Sequence, residues 1–462
     1  MAGNSSLHAA RGSANDEFYT QYSDIEAEMN AYVEYDPDVF RGKTVLLPCD
    51  DPEWSNFTRY FASNFERFGI RKLISTSYAR SAGSRQLTLR ERESPLYDAS
   101  KHDEHGKVFT LTRDANASGS IDTDDIEFSG YLEGDGDFRS DEVRELRDEA
   151  DVIVTNPPFS LFREFLAWIL EAGKRFVILG NMNAITYKEV FPYLKDNAIW
   201  LGYKSLSQDM YFDVPDDRKE WLLANKREGS AYKIINGVVM GRLASACWFT
   251  NIDHGKRHET LLLDTMEHNL KYNKRLMRKL EGSYGKAEYP HYDNYDAIEV
   301  PFVDAIPSDY DGVMGVPITF LDKYNPEQFE IVAFRKGADG KDLVFTRERE
   351  REYNRTFASL LDCDSGDDKE RGGEDRWPHH LRPHHDTPER EPVDLAFPLA
   401  TNLSNGLVND CKVNGSKTYV RMLVRRKVSA GDENDTAHGL DGRRCMPRLR
   451  LRQERGQGPL RP

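Results

Sequence analysis

Cysteine is scarce. The 462-residue chain has five, at Cys49, Cys247, Cys363, Cys411 and Cys445. They are odd in number and far apart, which argues against a disulfide framework, and no pair has metal-site spacing. Reduced thiols, some of them buried, are expected. No apolar run approaches the roughly 18 residues that a membrane-spanning helix needs. The opening MAGNSSLHAARGSANDEF lacks the apolar stretch of a secretory signal, so the expected location is the cytoplasm. A surplus of positive charge is missing too. Net charge is -15 and the pI about 5.4, whereas a nucleic-acid-binding face is basic. The objection is limited, because net charge is a global sum and a cleft can be positive on an acidic protein. Basic clusters stand at Lys256-Arg257, across Lys271 to Lys279, and at Arg421 to Lys427.

What is present suits a globular protein. Hydrophobic residues make up 39% and charged residues 31%. The length allows one large core with a second lobe, or two to three domains. Residues 1–40 are polar and acidic, and read as a flexible lead followed by a short helix. KTVLLP is then a short apolar run, as a buried parallel strand requires. SNFTRYFASNFERFG places aromatics at helical spacing and stops at Gly69, and RKLISTSY is the next strand. Residues 80–125 are charged and broken, with one strand-like piece, VFTLTR. DEVRELRDEA reads as a helix, DVIVT as a strand, LFREFLAWILEAG as an amphipathic helix and RFVILGN as a strand. KEVFPYLKD, AIWLGY and WFTNI continue the alternation.

Such alternation predicts an α/β fold with a doubly wound, mostly parallel sheet, whose ligands bind beyond the carboxyl ends of the strands. Three polar turns fall at such ends, at 48–52, 135–138 and 156–160. LLLDTMEHNLKYNKRLMRKLEG reads as a helix with a basic second half. DCDSGDDKERGGEDRWPHHLRPHHDTPEREP is poor in apolar residues and reads as disordered or inserted. Its paired histidines have no partner ligand at structural spacing, so no metal is expected. KTYVRMLVRR is a credible late strand, and the tail after Ala430 is Arg-rich.

The turn Asn156-Pro157-Pro158-Phe159 suits one chemistry. Methylating the amino group of a base requires that the base leave the stack and that its N–H groups meet acceptors. The Asn156 side-chain oxygen and the Pro157 carbonyl can be those acceptors. Paired prolines, Pro157 and Pro158, restrict the backbone and hold them in place beforehand. Acceptors so placed stabilise positive charge developing on the nitrogen. Phe159 offers a face for stacking, worth about 1–3 kcal/mol in nucleic-acid systems. No strong general base is required, because the proton can leave after transfer.

Here the sequence resembles a known family. Ile153-Val154-Thr155-Asn156-Pro157-Pro158-Phe159 matches the signature of N6-adenine methyltransferases. Its surroundings, from Asp135-Gly136-Asp137-Phe138-Arg139-Ser140 through NPPFSLFREF to GNMNAITYKEVFPYLK, are similar to the EcoRI-type adenine-specific DNA methyltransferase family. KTVLLPCDDPEWSNFTRYF, YPHYDNYDAIEV and DYDGVMGVPITFLDKYNPEQFEIV share that similarity, and VNGSKTYVRMLVRRK does so more weakly. It covers roughly residues 35–335 and a piece near 412–427.

The resemblance implies a Rossmann-like fold dependent on S-adenosylmethionine, with an added DNA-recognition region. It implies that Asn156, Pro157, Pro158 and Phe159 hold the target adenine. Asp137 and Phe138 would contact the adenine ring of S-adenosylmethionine. The turn from Pro48 to Pro52 would hold the cofactor's methionine portion, with Asp50 or Asp51 accepting from its ammonium. For either aspartate the plainer role is capping the following helix. Two features depart from common S-adenosylmethionine enzymes. The turn after the first strand has no glycine, and no acid for the ribose hydroxyls closes LISTSYAR.

The organisation then expected is a lead over 1–40, a catalytic domain over 41–250 and a DNA-recognition region over 251–345. A low-complexity insertion over 346–410, a strand within 411–430 and a basic tail over 431–462 follow. Double-stranded DNA is the expected partner. The methyl mark either protects a site from a separately acting cognate restriction endonuclease or labels DNA for other purposes. A monomer suffices, since each event involves one base. Two other readings stay open: a methyltransferase of RNA or of protein glutamine using the same turn, and a non-catalytic DNA-binding protein on a decayed scaffold.

Overall fold

The computed structural model describes residues 19–48, 50–52, 55–79, 94–102, 104–214, 216–243, 245–293, 295–334, 411–413, 416–418 and 421–427. The expected insertion over 346–410 and tail over 431–462 lie outside the described residues.

Strand β1 (Tyr19–Thr20) leads into helix α1 (Tyr22–Tyr35). Ile25, Met29 and Tyr32 recur at helical spacing and are fully buried, so the expected lead contains a helix docked in the core. Glu28 is buried on the same helix. Its carboxylate accepts from the Tyr32 hydroxyl at 2.6 Å and from the backbone N–H groups of Tyr203 at 2.7 Å and Lys204 at 2.8 Å. Burial pushes its pKa up, against these hydrogen bonds.

The expected strand–helix–strand unit follows as β2 (Thr44–Leu47), α2 (Asn56–Ser63), α3 (Phe65–Phe68) and β3 (Lys72–Ser77). The helical stretch is broken at Asn64 and ends at Gly69, whose φ of 64° is left-handed. A hairpin, β4 (Lys107–Leu111) and β5 (Glu127–Tyr131), precedes α4 (Asp141–Glu149) and β6 (Val152–Thr155). Then come α5 (Phe162–Glu171), β7 (Arg175–Asn181), α6 (Phe191–Lys195) and β8 (Trp200–Leu201). An excursion forms β9 (Met210–Asp213), α7 (Asp216–Asn225), β10 (Tyr232–Ile235) and β11 (Val238–Leu243) before β12 (Ala246–Thr250).

The main sheet has the order β5-β4-β3-β2-β6-β7-β12-β8. Every residue of β2 and β6 is buried. Alternate side chains go to opposite faces. Val45, Leu47, Val152 and Val154 pack with α1 and α2, while Leu46, Ile153 and Ile178 pack with α5 and α6. Both faces are therefore covered, as the unbroken apolar runs require. The pairings β3–β2, β2–β6 and β6–β7 are parallel, and the four toward the edges are antiparallel. The expectation of a mostly parallel sheet is thus corrected to a mixed one. The cause is local: β4 and β5 form a hairpin, and β12 returns from the excursion beside β7. Two successive antiparallel pairings restore direction, so β5 and β8 run the same way as the central strands.

The stretch read as one basic helix is two, α8 (Met266–Tyr272) and α9 (Lys274–Tyr284), with Asn273 between them capping the second. A further sheet combines β13 (Ala297–Glu299), β14 (Val313–Pro317) and β15 (Phe329–Phe334). After the short pair β16 (Lys412–Val413) and β17 (Ser416–Lys417), strand β18 (Arg421–Arg426) inserts between β14 and β15. Arg421 and Glu299 are both buried, and the guanidinium grips both carboxylate oxygens at 2.6–3.1 Å. The Tyr292 hydroxyl also donates to that carboxylate. Met422 and Val424 join the same core as α5 and β7.

Candidate active site

The three polar turns gather at one edge of the main sheet. The first follows β2. Asp50 is buried, and its two carboxylate oxygens accept from the Ser55 hydroxyl at 2.7 Å and the Thr155 hydroxyl at 2.6 Å. Its backbone carbonyl accepts from the Thr58 hydroxyl at 3.1 Å and from the Ser75 hydroxyl. One residue thus ties the turn to α2, β3 and β6. Burial pushes the Asp50 pKa up to about 7; the hydrogen bonds from Thr155 and Ser55 oppose this and the charge of Asp51 adds to it. Capping of α2 falls to Ser55, whose hydroxyl accepts from Phe57 N at 3.0 Å and Thr58 N at 3.4 Å. The N-cap position expected of an aspartate is thus held by Ser55. Asp51 is half-buried, and Pro48 is buried at the end of β2.

The second turn follows β5 and reaches the end of β3. The Ala79 N–H donates to the Asp135 carbonyl at 2.7 Å, and the Tyr78 hydroxyl to the Asp135 carboxylate at 3.0 Å. Gly136 has φ 86°, and a Cβ there would meet the Ser77 carbonyl oxygen at 2.6 Å, so only glycine permits this approach. The Ser77 hydroxyl is buried without a hydrogen-bond partner among the described residues. Asp137 receives Arg139: one carboxylate oxygen accepts from Arg139 N at 2.9 Å and Nε at 3.0 Å, the other from the terminal nitrogen at 2.8 Å. Arg139 also reaches Glu164 on α5 at 2.9 Å, which links the second turn to the third. Phe138 is core. It packs on Phe165 at 5.0 Å and Trp168 at 5.7 Å between ring centroids.

The third turn begins where β6 ends. Thr155 is buried, Asn156 is half-buried, Pro157 is buried, and Pro158 and Phe159 are half-buried. The Pro158 carbonyl accepts from Leu161 N at 2.9 Å, starting the short helical turn before α5. The ring of Phe159 rests against the core on the α2 side of the sheet. At the neighbouring end of β7, Asn181 accepts from Asn183 N and donates to the Ser245 hydroxyl, both at 2.9 Å. Asn181 therefore shapes its loop.

The structure ties the Asp50 turn to Thr155, the strand residue just before the Asn156 turn. Asp137 meets the third turn through Arg139 and Glu164. Sequence reasoning missed Ser55, Thr155, Arg139 and Glu164. Thr155 had a signal, a hydroxyl closing an otherwise apolar strand. Glu164 had none, because its value lies in a partner 25 positions away. Among the described residues no cluster of His, Cys, Asp or Glu is arranged to hold a metal, and no helix is long and apolar enough to cross a membrane.

Comparison with known proteins gives the arrangement a context. No solved structure matches the chain. The type II methyltransferase M.EcoRI of Escherichia coli is 42% identical over 342 residues, covering 74% of this chain and 93% of that protein. The type II methyltransferases M.MgeORF184P of Mycoplasma genitalium and M.MpnI of Mycoplasma pneumoniae are 34% and 32% identical, each over 71% of this chain and 85% and 84% of their own lengths. The family model described as adenine-specific methyltransferase EcoRI matches residues 6–427. A chain matched over that span, with the Asn-Pro-Pro-Phe turn at the end of a central strand, belongs to the EcoRI family of adenine-specific type II DNA methyltransferases.

Proposed function

We propose that this chain transfers a methyl group from S-adenosylmethionine to N6 of an adenine extruded from duplex DNA, at the edge where the three turns meet. The observation that carries the reading is the coupling of Asp50 to Thr155, which fixes the first turn to the residue preceding Asn156. The strand order supports a Rossmann-like methyltransferase fold. Direction of progression reverses between β2 and β6, and ligands of such sheets bind outside that switch point.

The residues present fit the cofactor. Ser77 ends β3 where a ribose hydroxyl would lie, and its buried hydroxyl has no hydrogen-bond partner among the described residues. It stands where an acid was expected and absent. Asp135 and Asp137 flank it from the second turn, and Asp51 borders the first. Phe138 contributes packing beneath the site, since its ring is occupied by Phe165 and Trp168. When bound, S-adenosylmethionine supplies a methyl group on a sulfonium centre.

The chain's own residues do the rest. The Asn156 amide oxygen and the Pro157 carbonyl accept the two N6 hydrogens and direct the nitrogen lone pair toward the methyl group. Phe159 stacks on the base. Pro157 and Pro158 fix the backbone, and the Asp50–Thr155 contact fixes its origin, so little reorganisation remains at the moment of transfer. The N6 proton leaves to solvent afterwards.

Residues 251–345 and the strand within 411–430 are proposed to contribute to DNA recognition, and the mark to protect a site from a separately acting nuclease. The test is transfer of labelled methyl from S-adenosylmethionine to unmethylated plasmid DNA, beside total RNA and protein extract, with Asn156→Ala as control. Label recovered as N6-methyladenine in DNA and lost in the variant is expected. Label in RNA or protein alone would overturn the reading.

A further inference from the structure

The excursion between β8 and β12 is tied to both flanks of the candidate site. It returns at Ser245, whose carbonyl accepts from Met182 N at 2.6 Å and whose hydroxyl accepts from Asn181 at 2.9 Å, beyond the carboxyl end of β7. On the other flank, β9 pairs with β1, and the Thr20 carbonyl of β1 accepts from Asn56 at 2.8 Å, at the start of α2. The small sheet β1-β9-β11-β10 therefore stands at the edge that carries Asn156.

Its chemistry differs from that of the chain around it. From Asp216, where α7 begins, to Arg242 there are six basic residues and four acidic ones, in a protein of net charge -15. Lys226, Arg227 and Lys233 are exposed, and no carboxylate pairs with them among the described residues. Exposed apolar residues concentrate here as well. Trp221, Leu223, Ile234 and Val238 are 41–51% exposed.

The last two stand at the tip of the β10–β11 hairpin. Ile235 pairs with Val238 across a two-residue turn in which Asn236 has φ 52° and Gly237 φ 82°. Positive φ at both central residues is the tight turn that matches strand twist, so the tip is stiff. A stiff apolar tip on a two-stranded ribbon that carries Lys233 and is preceded by Lys226 and Arg227 fits a duplex. Basic side chains meet phosphates, a ribbon enters a groove, and apolar wedges part base steps.

We propose that the β10–β11 hairpin enters the DNA: Lys226, Arg227 and Lys233 hold phosphates, and Ile234, Ile235 and Val238 wedge into the stack beside the extruded adenine. The proposal rests on the base extrusion proposed above and assigns it a mechanical agent. It also places DNA contacts ahead of residue 251.

The experiment begins with mapping the site that the wild type methylates on plasmid DNA. A duplex carrying that site, with 2-aminopurine at the target position, then reports extrusion by fluorescence. The full-length Ile234→Ser/Val238→Ser variant should lose most of the fluorescence rise and slow methylation at least tenfold. Placing a mismatched base opposite the target adenine should restore its rate, because the base is then already loosened. Lys226→Gln/Arg227→Gln/Lys233→Gln should reduce the slope of log affinity against log salt by about 2 to 3. A tip variant that extrudes and methylates like the wild type overturns the wedge. So does a slow tip variant that a mismatch does not rescue, since that marks a merely structural role. A wild type that methylates DNA but gives no fluorescence rise overturns base extrusion itself, and a wild type that labels no DNA overturns the reading of function.

Discussion

Thr155 Oγ1 stands 2.6 Å from Asp50 Oδ2 and 2.7 Å from the Pro48 carbonyl oxygen. A hydroxyl carries one proton, and a carbonyl can only accept. Thr155 can donate to only one of them at a time, and a protonated Asp50 carboxyl can in turn donate to Thr155 and leave that proton to the Pro48 carbonyl. Burial pushes the Asp50 pKa up to about 7, against the hydrogen bonds from Thr155 and Ser55, and a protonated Asp50 satisfies both contacts of Thr155.

Stability should follow that proton. The folded-state pKa lies above the usual carboxylate value, so the contribution is full below about pH 4 and is lost as pH rises through about 7. The whole change is on the order of 4 kcal/mol. Asp50→Asn keeps the shape and removes the titration. Thermal melts of wild type minus variant should decline between about pH 4 and 7 and level off above that. A flat difference would show that Asp50 does not carry this proton.

Asn156→Ala should lower kcat by about a hundredfold to a thousandfold, the scale of losing one preorganised hydrogen-bonding group. Its melting temperature and its affinity for S-adenosylmethionine should stay close to wild type. Equal loss of cofactor binding would move Asn156 from the target base to the cofactor.

Phe159→Ala should cost about 1–3 kcal/mol in kcat/KM, the worth of one stacked base. Phe159→Tyr should retain most activity, since stacking requires a flat ring and little else. Steady-state kinetics on the mapped site separates the two. Similar defects in both would point to packing against the α2 core instead.

Ser77 gives opposite effects on stability and binding. Its buried hydroxyl lacks a partner among the described residues, and an unsatisfied buried group costs about 1–3 kcal/mol. Ser77→Ala should stabilise the cofactor-free protein and weaken S-adenosylmethionine about tenfold, as read by calorimetry. Unchanged affinity would remove Ser77 from the cofactor site.

Arg421→Ala leaves Glu299 charged and buried, which costs about 3–5 kcal/mol when a pair is broken from one side. Arg421→Met/Glu299→Gln should recover much of that loss in denaturant melts. No recovery would mean that packing of the Arg421 side chain, rather than the stranded charge, dominates.

The main sheet was legible because its signal is local. The runs KTVLLP, DVIVT and RFVILGN are apolar on both faces, and each became a buried strand. The turns at their ends could be named for the same reason. Edges were less legible. Pairing direction depends on how far the chain travels before returning, so the antiparallel return of β12 did not show in WFTNI. The excursion hairpin hides because Lys233 interrupts its apolar residues. Glu28 was invisible, since nothing local announces that a carboxylate will be buried against backbone N–H groups 175 positions away. In the site, motif residues could be read as they stand. Their supports, Ser55, Thr155 and Arg139, acquire meaning only once three turns share one edge. Phe138 illustrates the converse: next to Asp137 in sequence, it turns inward to Phe165.

Strand β18 imposes an order on synthesis. It lies between β14 and β15 yet is among the last described residues to leave the ribosome. Without it, β14 and β15 have no strand to join them and the buried Glu299 has no guanidinium. All residues of the central sheet and its three turns lie far earlier in the chain. Every residue of the reactive edge is therefore translated before the strand that fills the second sheet, and β18 is the last of the described strands to take its place.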